Sequence, residues 1–137
     1  MSWLDDLITV LEADGVGTFG ANIFTSTKAA PPILLAGTLM IVATGGSGAD
    51  RTHNATIRPA IVRPGAQFTA RAADYPTAER LARLAYDAVV VVRNQWINSG
   101  WYLEITPLQE PFDGGLDVRG QSQCHFNVVG RIGVRLW

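Results

Sequence analysis

The stretch CHFNVVGRIGVRLW, residues 124–137, has the cleanest pattern in the chain. Its even positions are Cys124, Phe126, Val128, Gly130, Ile132, Val134 and Leu136, all apolar or small. Its odd positions include His125, Asn127, Arg131 and Arg135. A period of two places one set of side chains on each face of a strand, so the stretch reads as a long, half-buried strand or one arm of a long hairpin. It runs on to Leu136-Trp137, which ends the chain on an anchor-type residue. Residues 130–137 can therefore either complete the core sheet or project as a β-arm that adds to another subunit's sheet edge.

Upstream, Trp101 to Thr106 alternates Trp101, Leu103 and Ile105 with Tyr102, Glu104 and Thr106, which predicts a second strand. Residues 107–120, with Gly114, Gly115 and Gly120, read as a loop, and Asn98-Ser99-Gly100 as a turn. The main helix is expected over 76–97, opened by Tyr75-Pro76-Thr77 and capped by Asp74 or Thr77. Wound at 100° per residue, Leu81, Ala82, Ala85, Ala88, Val89, Val92 and Trp96 share one face. Glu79, Arg80, Arg83, Asp87 and Asn94 share the other. Glu79–Arg83 and Arg83–Asp87 are i,i+4 pairs.

Nearer the N-terminus, residues 67–73 and 56–62 read as strands, the latter at an edge or bulge because of Pro59. Gly45 to Asp50 reads as a flexible loop. Ile33 to Thr44 is apolar on both alternating faces, as in a strand covered on both sides. Asn22 to Thr25 suits a short strand. Residues 2–13 form an amphipathic helix with Ser2 as N-cap and Asp5 and Asp6 in the first turn. The order α-β-β-β-β-α-β-β predicts an α+β fold. It is a mostly antiparallel β-sheet packed against one long helix and one short N-terminal helix, in a single domain over 1–137.

A chain of 137 residues can bury a core without disulfides or metals. The net charge of −1 gives no general attraction to nucleic acid or anionic membrane. Lys28 is the only lysine among 11 basic residues, and the rest are arginine, which binds carboxylates bidentately. Charged residues make up 17%, against roughly 25% in typical soluble domains. Such a thin charged surface fits either compositional scatter or a surface partly covered by partners. Cys124 is the single cysteine, so no intrachain disulfide forms. The N-terminus lacks the features of a signal peptide, and the apolar run from Pro31 to Val42 is too short to span a bilayer. A soluble, cytosolic origin without membrane contact is expected.

No constellation of catalytic groups stands out. Gly15-Val16-Gly17-Thr18-Phe19-Gly20 matches GxGxxG, but a helix precedes it where the dinucleotide fingerprint needs a strand. Gly45 to Gly48 lacks the Gly-Lys-Ser/Thr ending of a phosphate loop. Adjacent Cys124 and His125 point to opposite faces of a strand and cannot share a metal. Cys124 reads as a core residue and His125 as a surface one. Ser47, Asp50 and His53 lie in one glycine-rich stretch with nothing to fix a triad. Glu104 and Glu110 have no identifiable partner acid. The expectation is a protein that is no enzyme and needs no cofactor.

On the helix, Val90 falls in the middle of the charged face, with Tyr86 nearby. A valine flanked by Tyr, Arg and Asp suits a contact patch with a polar surround, although one exposed valine is ordinary.

From Arg71 through Phe126 the sequence resembles the tail-terminator (tail-completion) proteins of long-tailed phages, a group often labelled minor capsid proteins. The resemblance is carried by RAADYPTAERLA (71–82), the helix to Trp96, ITPLQEP (105–111), LDVRG (116–120) and the strand through Phe126-Asn-Val-Val129. The short N-terminal amphipathic helix fits it too. Gly114-Gly115 and Val118 depart from it, standing where an acidic or larger residue is more usual.

The resemblance implies a ring, usually a hexamer, on the end of the tail tube. The ring stops polymerisation of tube subunits and offers a docking surface to the head connector. Its partners would be copies of itself, the tail tube protein and a head-completion protein, with DNA only passing through the lumen. The protein would reside in the virion tail or neck after assembly in the host cytoplasm. On this reading Arg83, Tyr86 and Val90 belong to the subunit interface. Asp113, Asp117 and Arg119 belong to a loop at the lumen or a ring face, and Arg131, Arg135 and Trp137 meet a partner ring. The alternatives are a head-completion or neck adaptor protein and, from another class, a small α+β ligand-binding domain or enzyme.

Overall fold

In the computed structural model, residues 3–25, 32–50, 61–98 and 100–133 are described, with side chains at 47–50 excepted. Helix α1 spans Trp3–Ala13 and helix α2 spans Tyr75–Val90. The strands are β1 (Ile23–Phe24), β2 (Thr38–Asp50), β3 (Ile61–Ala72), β4 (Arg93–Ile97), β5 (Gly100–Pro107), β6 (Phe112–Leu116) and β7 (Ser122–Gly133). They form one sheet in the order β1-β2-β3-β7-β5-β4, and β6 also pairs with β7. Among the described strand pairs, only β1–β2 is parallel. The fold is α+β, as the sequence pattern predicts.

The alternation of 124–133 decides the core. Cys124, Phe126 and Val128 are fully buried on the face that the helices cover. Phe126 stacks on Phe68 of β3, with centroids 4.5 Å apart. Helix α2 lies over this pair and buries Ala78, Leu81, Ala82, Ala85, Ala88 and Val89. Four of those six are alanines, whose small side chains let the helix approach the sheet closely. Truncating an aromatic such as Phe126 to Ala in such a core costs about 3–5 kcal/mol.

Helix α1 is fixed at the other end of the sheet. The Trp3 indole donates to the Gly65 carbonyl at 3.0 Å and stacks on Tyr102. Its six-membered ring lies against Gly130, where a Cβ would sit 2.8 Å from Trp3 Cη2. Asp6, though acidic, is buried, because Tyr102 and Asn98 both donate to it at 2.5 and 2.6 Å.

Several sequence expectations are corrected. The main helix stops at Val90 and does not reach 97. Four consecutive valines, 89–92, have stiff β-branched side chains that weaken a helix, and Asn94 takes a positive φ of 46°. The chain then returns as β4, so Trp96 pairs with Trp101 across a hairpin and is exposed, not part of a buried helix face. Strand β2 begins at Thr38, not Ile33, and Ile33 and Leu35 are exposed. Within it Thr38, Leu39, Met40 and Ile41 are all buried, in keeping with a strand covered on both faces. Gly45 to Asp50 is not a loop. It continues β2 along β3 through two register shifts, with Gly46 at φ 60° absorbing the irregularity. Residues 61–72 form one strand where two were expected. Finally, 107–120 is not all loop, because β6 pairs along the start of β7. Ser2, residues 56–60 and residues 134–137 lie outside the described residues.

Candidate assembly surfaces

Arg83 stands on the outer side of α2 and donates to Glu110 at 2.6 Å, an exposed pair joining the helix to the segment before β6. Glu110 raises the guanidinium's pKa further, chiefly through that hydrogen bond. The guanidinium also lies 5.4 Å from the centre of the Tyr86 ring. Tyr86 in turn meets Phe126 edge-on at 5.5 Å. Tyr86 and Val90 are half-buried and pack against the core. The expected exposed Val90 patch is therefore corrected. Where α2 meets the sheet, the helix has turned Val90 toward the core, and the exposed apolar residues at its outer face and end are Leu84 and Val91.

The acidic loop is stiffer than its glycines suggest. Asp113 Oδ1 accepts from the Gly115 amide at 2.8 Å. Asp117 Oδ1 accepts from the Arg119 amide at 2.8 Å and the Gln121 amide at 2.9 Å, while its Oδ2 lies 3.6 Å from Arg71 Nε. These are Asx-type turns, in which the side chain fixes the backbone that follows it. Arg119 Nη2 reaches Gln121 Oε1 at 3.3 Å. Val118 is held at the tip of this braced turn at 104% relative exposure, and Leu116 beside it at 71%.

Arg131 lies on the sheet face away from the helices. Glu104 stands between it and Arg93, at 3.7 and 4.0 Å. With Arg63, Thr106, Leu108 and Val129, Glu104 and Arg131 line a shallow depression. Arg135 and Trp137 lie outside the described residues, so their expected place beside Arg131 has no structural counterpart here.

Behind the acidic loop, His125 is half-buried and not the plain surface residue expected. Its Nδ1 is 2.9 Å from Thr69 Oγ1, and Phe112 leans on its ring. Burial first, then Arg71, lowers its pKa. Cys124, one residue earlier, points into the core as expected. Burial raises its thiol pKa, and its Sγ is 3.8 Å from the Tyr75 hydroxyl. Burial and that contact push Tyr75 up to about 12. Neither group is poised as a nucleophile or base near neutral pH. Among the described residues, no cluster of three or more His, Cys, Asp or Glu forms a metal site.

The second surface was missed in the sequence. A groove of about 330 Å³ opens between the end of α1 and the hairpin that follows α2. Val10, Ala13, Ala88, Val91 and Trp96 supply its apolar lining, and Asp14 stands in its wall. Val91 is 69% exposed and Trp96 55%. The sequence signal was the end of the helix. Once the valine run is read as a helix stop, Trp96 leaves the buried stripe and reaches the surface beside Val91.

No family model matches the sequence, and no curated protein matches it. Among solved structures, the fold matches a chain from the virion of a native gene transfer agent (GTA) particle. The TM-score is 0.58 at 18% identity, over 91% of this chain and 85% of that chain. The two share a fold across nearly their whole lengths.

Proposed function

We propose that this protein is a structural component of a phage-like virion. It forms a ring that caps the tail tube, stops the tube's polymerisation and presents the docking surface for the head connector. The observation that carries the virion reading is the fold shared with a chain of the gene transfer agent virion over 91% of this protein. The tail-terminator role rests on the sequence resemblance over residues 71–129. In this reading the partners are copies of the chain, expected as a hexamer, together with the tube and head-completion proteins. The protein catalyses nothing, takes no cofactor, and encloses DNA only as the genome passes through the lumen. Assembly by one surface against a different surface of the neighbour closes into a ring when the rotation per subunit allows it.

Electron microscopy of the purified protein tests the ring, and closed rings are the expected result. Omission from particle assembly tests the role. Overlong tails are expected from loss of a terminator. Normal tails without heads would overturn the tail-capping role in favour of a neck adaptor.

A further inference from the structure

The chain carries two unlike apolar features at opposite ends of β7. The tip residue Leu116 pairs with Ser122, the first residue of the strand. The groove residue Trp96 pairs with Trp101, which pairs with Gly133, the last. Eleven strand steps separate them, roughly 36 Å at the usual rise. One feature is convex: Val118 projects fully on a turn whose backbone Asp117 holds. The other is concave, with Val91 and Trp96 exposed in its lining. Each also has a charged neighbour of opposite sign, Asp117 at the tip being engaged by Arg71. Arg119 follows Val118 at the tip, and Asp14 borders the groove.

We infer that the Val118 tip of one copy seats in the Val91/Trp96 groove of the next, with Arg119 facing Asp14, so that copies join head to tail. Three observations point to a second copy as the occupant. The chain itself supplies a projecting knob, Arg119 beside the knob and Asp14 beside the groove are opposite in charge, and the two features are too far apart to meet within one molecule. A knob and a pocket at different places on one protein make a heterologous contact, which propagates until it closes. The tip is already rigid, so little conformational freedom is lost on seating. The inference rests on the ring reading and names the surfaces that make the ring.

The test measures oligomeric mass by light scattering and native mass spectrometry for the full chain and for Val118→Asp and Val91→Arg. Both positions are exposed, and an arginine at the end of α2 suits the helix dipole, so unchanged melting curves are expected. Each variant alone is expected to lose rings, with association weakened about tenfold or more, as for a charged residue placed at a central apolar anchor. Mixed in equal amounts, the two variants should form dimers and no rings, because only one intact tip and one intact groove remain per pair. Asp14→Arg and Arg119→Glu should each weaken assembly, and the double variant should restore it.

Rings that persist in both Val118→Asp and Val91→Arg would overturn this contact and leave the ring reading standing. Loss with Val91→Arg alone would mean that another segment or protein fills the groove, and would overturn the tip assignment. An unmutated chain that stays monomeric with and without tail tubes would overturn the ring reading and this inference together.

Discussion

The Tyr102 hydroxyl donates to the Asp6 carboxylate at 2.5 Å, joining the first helix to a strand 96 residues away in sequence. Burial, then this hydrogen bond, raises the tyrosine's pKa far above its ordinary value, so it stays a donor at any physiological pH. Asp6 keeps its second oxygen on Asn98. Tyr102→Phe leaves a buried carboxylate short of one donor, which costs about 1–3 kcal/mol. Urea unfolding of this variant should show a lower midpoint with an unchanged slope. An unchanged midpoint would mean that the carboxylate finds another donor. Because Tyr102 is buried beneath α1, rings should still form wherever the domain is folded.

A second structural test falls on Gly130, which occupies an apolar-face position in the strand that decides the fold. Its φ is not in the left-handed region, so its requirement is space. A methyl there would meet the Trp3 ring at 2.8 Å, and Trp3 is held by its bond to Gly65 and its stack on Tyr102. Gly130→Ala should destabilise by about 1–3 kcal/mol, the usual range for overpacking. Trp3→Phe in the same background should recover part of that loss, measured by thermal melting. A loss that Trp3→Phe leaves untouched would place the strain elsewhere.

Val90 separates stability from assembly. On a helical wheel it sits among charges, where Val90→Glu would weaken rings and leave the fold intact. In the structure it is half-buried against the core. Val90→Glu should therefore lower the melting temperature, while Leu84→Glu, at an exposed position on the same helix, should not. Equal melting temperatures for the two variants would restore Val90 to the surface.

The difference over Val90 shows what the sequence makes legible. Cys124 to Gly133 reads correctly because a period of two is a local property that the sheet only has to confirm. The buried face of α2 from Leu81 to Val89 reads correctly for the same reason. The helix end misleads because the apolar stripe continues in phase through Val92 to Trp96. What stops the helix is β-branching and a left-handed Asn94, which carry no periodicity. Strand β6 is invisible because Phe112 to Leu116 holds two glycines and an aspartate. It becomes a strand by pairing with β7, the next strand along the chain, through contacts its own pattern does not announce. The candidate surfaces follow suit: Asp117 falls in a stretch legible as a loop, whereas the groove needs α1 and the β4–β5 hairpin side by side.

His125 gives the domain a pH dependence whose sign can be worked out. Its ring lies in a half-dry slot between Thr69 and β6, and a Cβ at Gly114 would lie almost on Nε2. Protonation would place a cation there, with Arg71 disfavouring it and Asp113 only partly offsetting that. The folded pKa is thus lowered, and between the two pKa values the unfolded chain binds more protons. Stability from this group is fully present above the unfolded value of about 6.5 and is lost as pH falls through the folded pKa. The melting temperature should accordingly decline from about pH 7 toward pH 5. His125→Gln, which keeps a hydrogen-bonding end without the titration, should flatten part of that decline. The comparison between the two proteins isolates His125, because every other ionisable group is common to both. Parallel curves would show that the decline belongs to other groups. A flattened curve would identify the slot under β6 as the place where mild acid first loosens the fold, next to the turn that carries Val118.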